Sequence, residues 1–196
     1  MSDNEKKLFL FDELDDKAKQ KAREWWCSDG LDYEWWENVY EDAITIGKKL
    51  GIEIEHVLFS GFSSQGDGAC FEGRYEYRKG WRKDLEAFAP KDIKLFEIGT
   101  SLQALQKRHF YKLFANVKHN GHYYHSKCTY IDIDAGMDGN IVSIEDQDEL
   151  CDLLREFMDW IYRRLESEYD YLTSDESVEE SIRINEYRFD ENGNIA

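Results

Sequence analysis

The chain has 196 residues, with 42 acidic against 25 basic side chains and a formal net charge of −17. Hydrophobic residues make up 41% and no apolar run approaches the ~20 residues that span a bilayer, which excludes a disordered acidic tail and a helical membrane protein. The negative excess also argues against direct binding to nucleic acid or anionic membranes, because phosphate repels it.

The first half of the chain predicts two helices followed by two strands. The first helix runs from about Asp15 to Cys27, and the second, with apolar residues at three- and four-residue spacing, runs from about Tyr33 to Leu50. Gly51 marks the end of the second helix. Alternating apolar residues then predict strands over Ile52–Ser60 and Ala69–Tyr77.

A hairpin is the clearest local signal in the second half. Asn120-Gly121 lies between two alternating runs, Phe110–His119 and His122–Asp134, and this dipeptide favours a two-residue type I′ turn. Such a turn pairs Val117 with Tyr124 on the buried face of the sheet.

Two further helices complete the prediction. One follows Pro90, and a long amphipathic helix covers about Asp146 to Tyr171, with inward-facing residues that include Leu150, Leu154, Phe157 and Ile161. The sum is a single α+β domain over residues 1–196, an antiparallel sheet of about four strands with helices packed on one face. Residues 145–196 form its acidic C-terminal helical region, and residues 131–196 carry 20 acids and 5 bases, a net of −15.

The glycine-rich loop over residues 60–69 carries the most distinctive string, FSGFSSQGDGA from Phe59 onwards. It lacks the spacing of a phosphate-binding loop, so we interpret it as a tight connection between strands. Together with LDYEWWENVYEDA and KHNGHYYH, this string resembles an uncharacterised family encoded by phages and prophages, some of whose members are labelled antitoxins. The resemblance covers most of residues 9–130. It implies a phage setting and carries over no catalytic residues.

Two segments have the residue types of metal sites. His119, His122, His125 and Cys128 recur every three residues, but the predicted hairpin places His125 on the opposite face from His119 and His122. Residues 134–145 match part of a calcium loop but have Gly136 at the third ligand position. We therefore predict no metal and no cofactor, with a calcium loop as the minority interpretation of 134–145.

No catalytic motif is present in the sequence, which predicts a protein that is not an enzyme. Residues 1–16 lack the basic-then-apolar pattern of an export signal, and the four cysteines form no CxxC pair. We expect reduced thiols and a cytoplasmic location, the host cytoplasm for a phage-encoded protein.

Tryptophan pairs occur at Trp25-Trp26 and Trp35-Trp36. Consecutive helical residues point about 100° apart, so one ring of each pair lies outside the centre of a buried stripe. Trp26 and Trp36 are therefore candidate partner-binding residues, rimmed by glutamates. The alternative, given equal weight, is that the extra rings pack between the two N-terminal helices.

The long C-terminal helix provides the second candidate surface. Asp148, Asp152, Glu156 and Asp159 follow one side of it in steps of ~5–6 Å, close to the spacing of phosphates along a nucleic acid strand. These residues predict an inhibitor that binds a basic, nucleic-acid-binding host defence protein of the restriction or CRISPR type by mimicry of nucleic acid. The alternatives are an antitoxin-like module that neutralises a toxin, a metal-dependent enzyme, or a charge that serves solubility alone. The oligomeric state is left open.

Overall fold

A computed structural model describes residues 7–31, 33–135 and 141–196. These residues form an α+β structure with a four-stranded antiparallel sheet, α-helices on one face of the sheet, and a long helix in the C-terminal region. The predicted fold class is confirmed. No helix in these ranges combines the length and the apolar character that a bilayer crossing requires.

The chain divides into two compact units. The terminal unit combines Met1–Trp36 with Ser167–Ala196, and the sheet unit comprises Glu37–Glu166. The organisation of residues 1–196 as a single domain stays a prediction.

The sheet unit alternates helices and strands in pairs. Its elements, in chain order, are α2 (Glu37–Leu50), β1 (Ile52–Phe59), β2 (Ala69–Glu76), α3 (Trp81–Phe88), α4 (Ile93–Arg108), β3 (Phe114–His119), β4 (Thr129–Asp134) and most of α5 (Ile144–Leu172). The predicted strands and the helices after Pro90 and from about Asp146 are present, whereas α3 was not predicted. The second helix begins at Glu37 and not at Tyr33, because Trp35 and Trp36 form a turn.

The sheet has the order β1-β2-β3-β4, and its two faces differ in burial. Phe71 and Tyr75 of β2 are buried on the inner face, where the ring of Phe71 lies 6.1 Å from that of Phe157 in α5. Tyr75 hydrogen-bonds to the buried Gln106 of α4. The alternating burial of β2 and β3 leaves the other face of the sheet open to solvent.

The hairpin between β3 and β4 is present, but its predicted turn and register are wrong. Val117 pairs with Ile131 and not with Tyr124, and residues 120–128 form a loop closed by a 2.9 Å hydrogen bond from Asn120 N to Cys128 O. This register places Ile131 on the inner face, opposite the buried Val117. The burial of apolar residues therefore outweighs the local preference of Asn-Gly for a short turn.

The terminal unit is built around its own apolar core. It contains a 3-10 turn (Phe11–Glu13), α1 (Asp16–Trp25), a π-turn (Trp26–Gly30), the end of α5 and α6 (Asp175–Ile184). Asp15 caps α1 by accepting a 2.8 Å hydrogen bond from Ala18 N. The core residues are Phe11, Leu14, Ala18, Ala22, Trp26, Val178, Ile182 and Phe189.

Candidate functional site

The candidate partner-binding carboxylates lie on the solvent side of α5. Asp148, Asp152 and Asp159 are exposed. The opposite side of the helix is buried through Leu150, Leu153, Leu154, Phe157, Met158, Trp160, Ile161 and Leu165. The predicted separation between the acidic residues and the apolar stripe is therefore confirmed. Because the stripe is packed, the helix holds these carboxylates at fixed spacing. We name Asp148, Asp152, Glu156 and Asp159 the acidic face.

The four members of the acidic face differ in their cation partners. Glu156 accepts a 2.8 Å hydrogen bond from Lys94 Nζ of α4, so its charge is already compensated. Asp152 lies 3.8 Å from Arg155 and keeps 74% of its side chain exposed. Within the described ranges, Asp148 and Asp159 have no ion pair. Three carboxylates of the face are thus available to a partner, a distinction that the sequence spacing alone did not reveal.

The start of α5 is different, because basic groups pair with two of its acids. Arg108 donates a 2.8 Å hydrogen bond to Asp146 and also contacts Glu149, and His109 Nε2 lies 2.8 Å from Asp146 Oδ2. The hydrogen bond from Arg108, and then that from His109, holds the pKa of the Asp146 carboxyl below its ordinary value. This cluster joins the end of α4 to the beginning of α5 and fixes where the acidic face starts.

We expect Asp146→Asn to lower the free energy of unfolding at pH 7 by about 1 kcal/mol, because a charge-assisted pair is lost. A carboxyl whose folded pKa is depressed contributes stability above its unfolded pKa and loses it as the pH falls through the folded pKa. The gap between wild type and variant should therefore close on acidification. Urea unfolding between pH 7 and pH 3 measures it, with Asp148→Asn as the control. An undiminished gap at pH 3 contradicts the assignment.

The first tryptophan pair occupies consecutive helical positions, as the prediction assumed, whereas the second pair does not. Trp25 ends α1, Trp26 begins the π-turn, and Trp35-Trp36 lie in a turn. Trp26 is 7% exposed and packs against Tyr187, with ring centroids 5.8 Å apart. Its ring therefore belongs to the terminal core and presents little surface to a partner. Trp36 is partly exposed, and its role in binding stays a prediction.

The two most distinctive loops of the sheet unit pack against each other. A Cβ at Gly66 would lie 2.5 Å from the ring of Tyr123, and one at Gly68 would lie 2.6 Å from the backbone of His125. Asp67 Oδ2 accepts hydrogen bonds of 2.9 and 2.6 Å from the backbone N–H groups of residues 63 and 64. The glycines thus permit a close approach between loops, which agrees with the structural interpretation of the segment.

The histidines of the second loop bond within their own segment. The His119 ring lies 3.0 Å from the carbonyl oxygen of Tyr123, and the His125 ring lies 3.4 Å from Cys128 Sγ. Across residues 7–31, 33–135 and 141–196, no group of three His, Cys, Asp or Glu side chains is arranged to hold a metal ion. The calcium-loop interpretation of residues 134–145 falls partly on 136–140, which lie outside the described residues.

The buried thiol of Cys70 is not a reactive centre. Cys70, at the start of β2, is fully buried, and burial raises the pKa of its thiol to about 12. The thiol therefore stays protonated and weakly nucleophilic near neutral pH.

The chain matches the family described as Domain of unknown function (DUF8835) over residues 35–175, and it belongs to this family. The matched region includes all of the sheet unit, with the acidic face and both packed loops. Neither the curated proteins nor the solved structures contain a match to the chain.

Proposed function

We propose that this protein is a non-enzymatic inhibitor that binds a basic, nucleic-acid-binding protein through the acidic face of α5. The observation that carries the proposal is the row of exposed carboxylates Asp148, Asp152 and Asp159, spaced by one turn and then by two turns along a helix that a packed apolar stripe holds in place. The resemblance to phage proteins supports a host defence protein as the target, and the host cytoplasm as the place of action.

Helical presentation suits the mimicry of phosphates. Along the helix axis, Asp148 and Asp152 are separated by ~6 Å and Asp152 and Asp159 by ~10.5 Å, so all three reach a Lys/Arg cluster together. Each exposed ion pair contributes only ~0.2–1 kcal/mol, so the face acts through its number of charges. Such a surface mainly accelerates encounter and selects partners by charge.

The test compares three forms of the protein against a partner captured from host lysate and then purified. Asp148→Lys/Asp152→Lys/Asp159→Lys should weaken binding about 100-fold at low salt, which corresponds to ~2.7 kcal/mol. Glu86→Lys/Glu180→Lys/Glu191→Lys changes the net charge equally at exposed positions off the acidic face, and should weaken binding only a few-fold. The affinity of the wild type should fall as salt rises.

Mimicry also predicts competition. Double-stranded DNA added to the complex should displace this protein from its partner, because both occupy the same basic surface. The proposal fails if the partner binds DNA and this protein at the same time, or if the two triple variants bind equally well.

A further inference from the structure

The open face of the sheet carries a second acidic surface, which sequence reasoning missed. Its exposed strand residues include two aromatic side chains, Phe114 of β3 and Tyr130 of β4, which are 37% and 58% exposed. Large exposed rings among charged residues are typical of binding surfaces. A period-two pattern in the sequence identifies the two faces of a strand, but only the pairing of strands shows which outward residues are neighbours.

The strand register places carboxylates opposite Phe114, and Tyr130 has a carboxylate two residues along its own strand. Phe114 pairs with Glu76 of β2 on one side and with Asp134 of β4 on the other. Residues paired across antiparallel strands share a face, with Cβ atoms about 4.5–5.5 Å apart. Tyr130 pairs with Lys118 of β3, and Asp132 lies two residues further along β4 on the same face. Each ring therefore has a carboxylate as a neighbour.

The charge of this face is strongly negative. Its strands carry six acids against two bases; the acids are Glu53, Glu55, Glu72, Glu76, Asp132 and Asp134, and the bases are Arg74 and Lys118. Arg74 is already engaged, because its Nε donates a 2.7 Å hydrogen bond to Glu53. The face consequently repels phosphate and attracts cations.

We propose that the open sheet face binds an arginine-rich segment. The inference rests on the proposed function, since it names the part of the basic partner that this face takes. Arginine fits better than lysine because its planar guanidinium stacks on aromatic rings while it bonds to a carboxylate. Phe114 and Tyr130 supply the rings, and Glu76 and Asp132 supply carboxylates next to them. We name these four residues the arginine face.

The experiment uses fluorescein-labelled nona-arginine and nona-lysine peptides and measures fluorescence anisotropy with the full-length protein. The two peptides carry the same number of positive charges, so attraction by charge alone would give them equal affinities. The diagnostic quantity is therefore the ratio of their dissociation constants. The wild type should bind nona-arginine about fivefold more tightly than nona-lysine, from stacking on two exposed rings. Phe114→Ala/Tyr130→Ala keeps every charge and should bring the ratio close to one.

Two controls locate the effect. Phe110→Ala removes a ring that is 76% exposed but lies outside the strands, and should leave the ratio unchanged. Asp148→Lys/Asp152→Lys/Asp159→Lys should weaken both peptides alike and keep the preference for arginine. Asp132→Asn, a nearly isosteric change, should also reduce the preference for arginine. It provides the test if Phe114→Ala/Tyr130→Ala does not fold.

The outcomes separate this inference from the proposed function. Equal binding of the two peptides by the wild type overturns the arginine face, as does a preference that survives in both Phe114→Ala/Tyr130→Ala and Asp132→Asn. The proposed function is judged on the purified partner and the acidic face, so it can stand when the arginine face fails. Binding of single-stranded DNA at the sheet face instead of the peptide also contradicts the inference.

Discussion

Gly51→Ala is expected to destabilise the protein far more than Gly80→Ala, although both glycines have a φ of +87°. An added Cβ at Gly51 would lie 2.0 Å from the backbone oxygen of Glu76, whereas at Gly80 it would meet nothing within 4 Å. Both variants carry the cost of a left-handed alanine, about 1–2 kcal/mol. Gly51→Ala adds a clash between the start of β1 and the end of β2, worth about 1–3 kcal/mol more.

Thermal and urea unfolding of the two variants measure this difference. Because both residues have the same φ, the backbone strain of alanine is equal in the two variants and drops out of the comparison. The backbone of Gly51 accepts a 3.0 Å hydrogen bond from Glu76 N, so the clash acts where the first strand pair is anchored. Equal stabilities for the two variants would mean that β1 and β2 move apart around the added Cβ without a loss of free energy. That result would contradict the close packing of Gly51 against Glu76.

Phe157→Ala is expected to lower the free energy of unfolding by ~3–5 kcal/mol, a large part of the stability of an ordinary domain. The ring is fully buried, lies 6.1 Å from that of Phe71 in the sheet, and stacks on Trp160 at 5.6 Å. Its removal leaves a cavity beneath α5, the helix that carries the acidic face. Urea denaturation measures the loss.

Phe110→Ala provides the matched control, because the same atoms are removed from a ring that is 76% exposed. Its effect should remain within about 0.5 kcal/mol, as for most surface substitutions. A comparable loss in both variants would show that α5 is not held by its apolar stripe. The carboxylates of the acidic face would then not be held at a fixed spacing.

Local patterns in the sequence were enough to predict much of this structure. The apolar stripe of α5 and the end of α2 at Gly51 were predicted correctly, because a repeat of three and four residues and a helix-ending glycine are properties of neighbouring residues. The exposure of Asp148 and Asp159 followed from the same repeat, since residues off the stripe face solvent.

The register of β3 and β4 needed information from distant residues. Asn120-Gly121 favours a short turn, yet the observed loop extends to Cys128, and its Tyr123 and His125 pack onto Gly66 and Gly68. The dipeptide's preference is worth less than placing the half-buried Ile131 opposite the buried Val117 and bringing the two loops together. The local turn preference and the apolar residues further along the strand favour different registers, and the apolar residues prevail.

The sequence by itself determined the fold class, the positions of most helices and strands, and the side of α5 that faces solvent, because these follow from composition and short-range periodicity. Only the tertiary structure decided that Lys94 neutralises Glu156 and that the glycine-rich loop (60–69) packs against the loop over residues 120–128. It also decided that aromatic rings and carboxylates share the open sheet face. Each of these depends on residues far apart in the chain, which strand register and helix packing bring into contact.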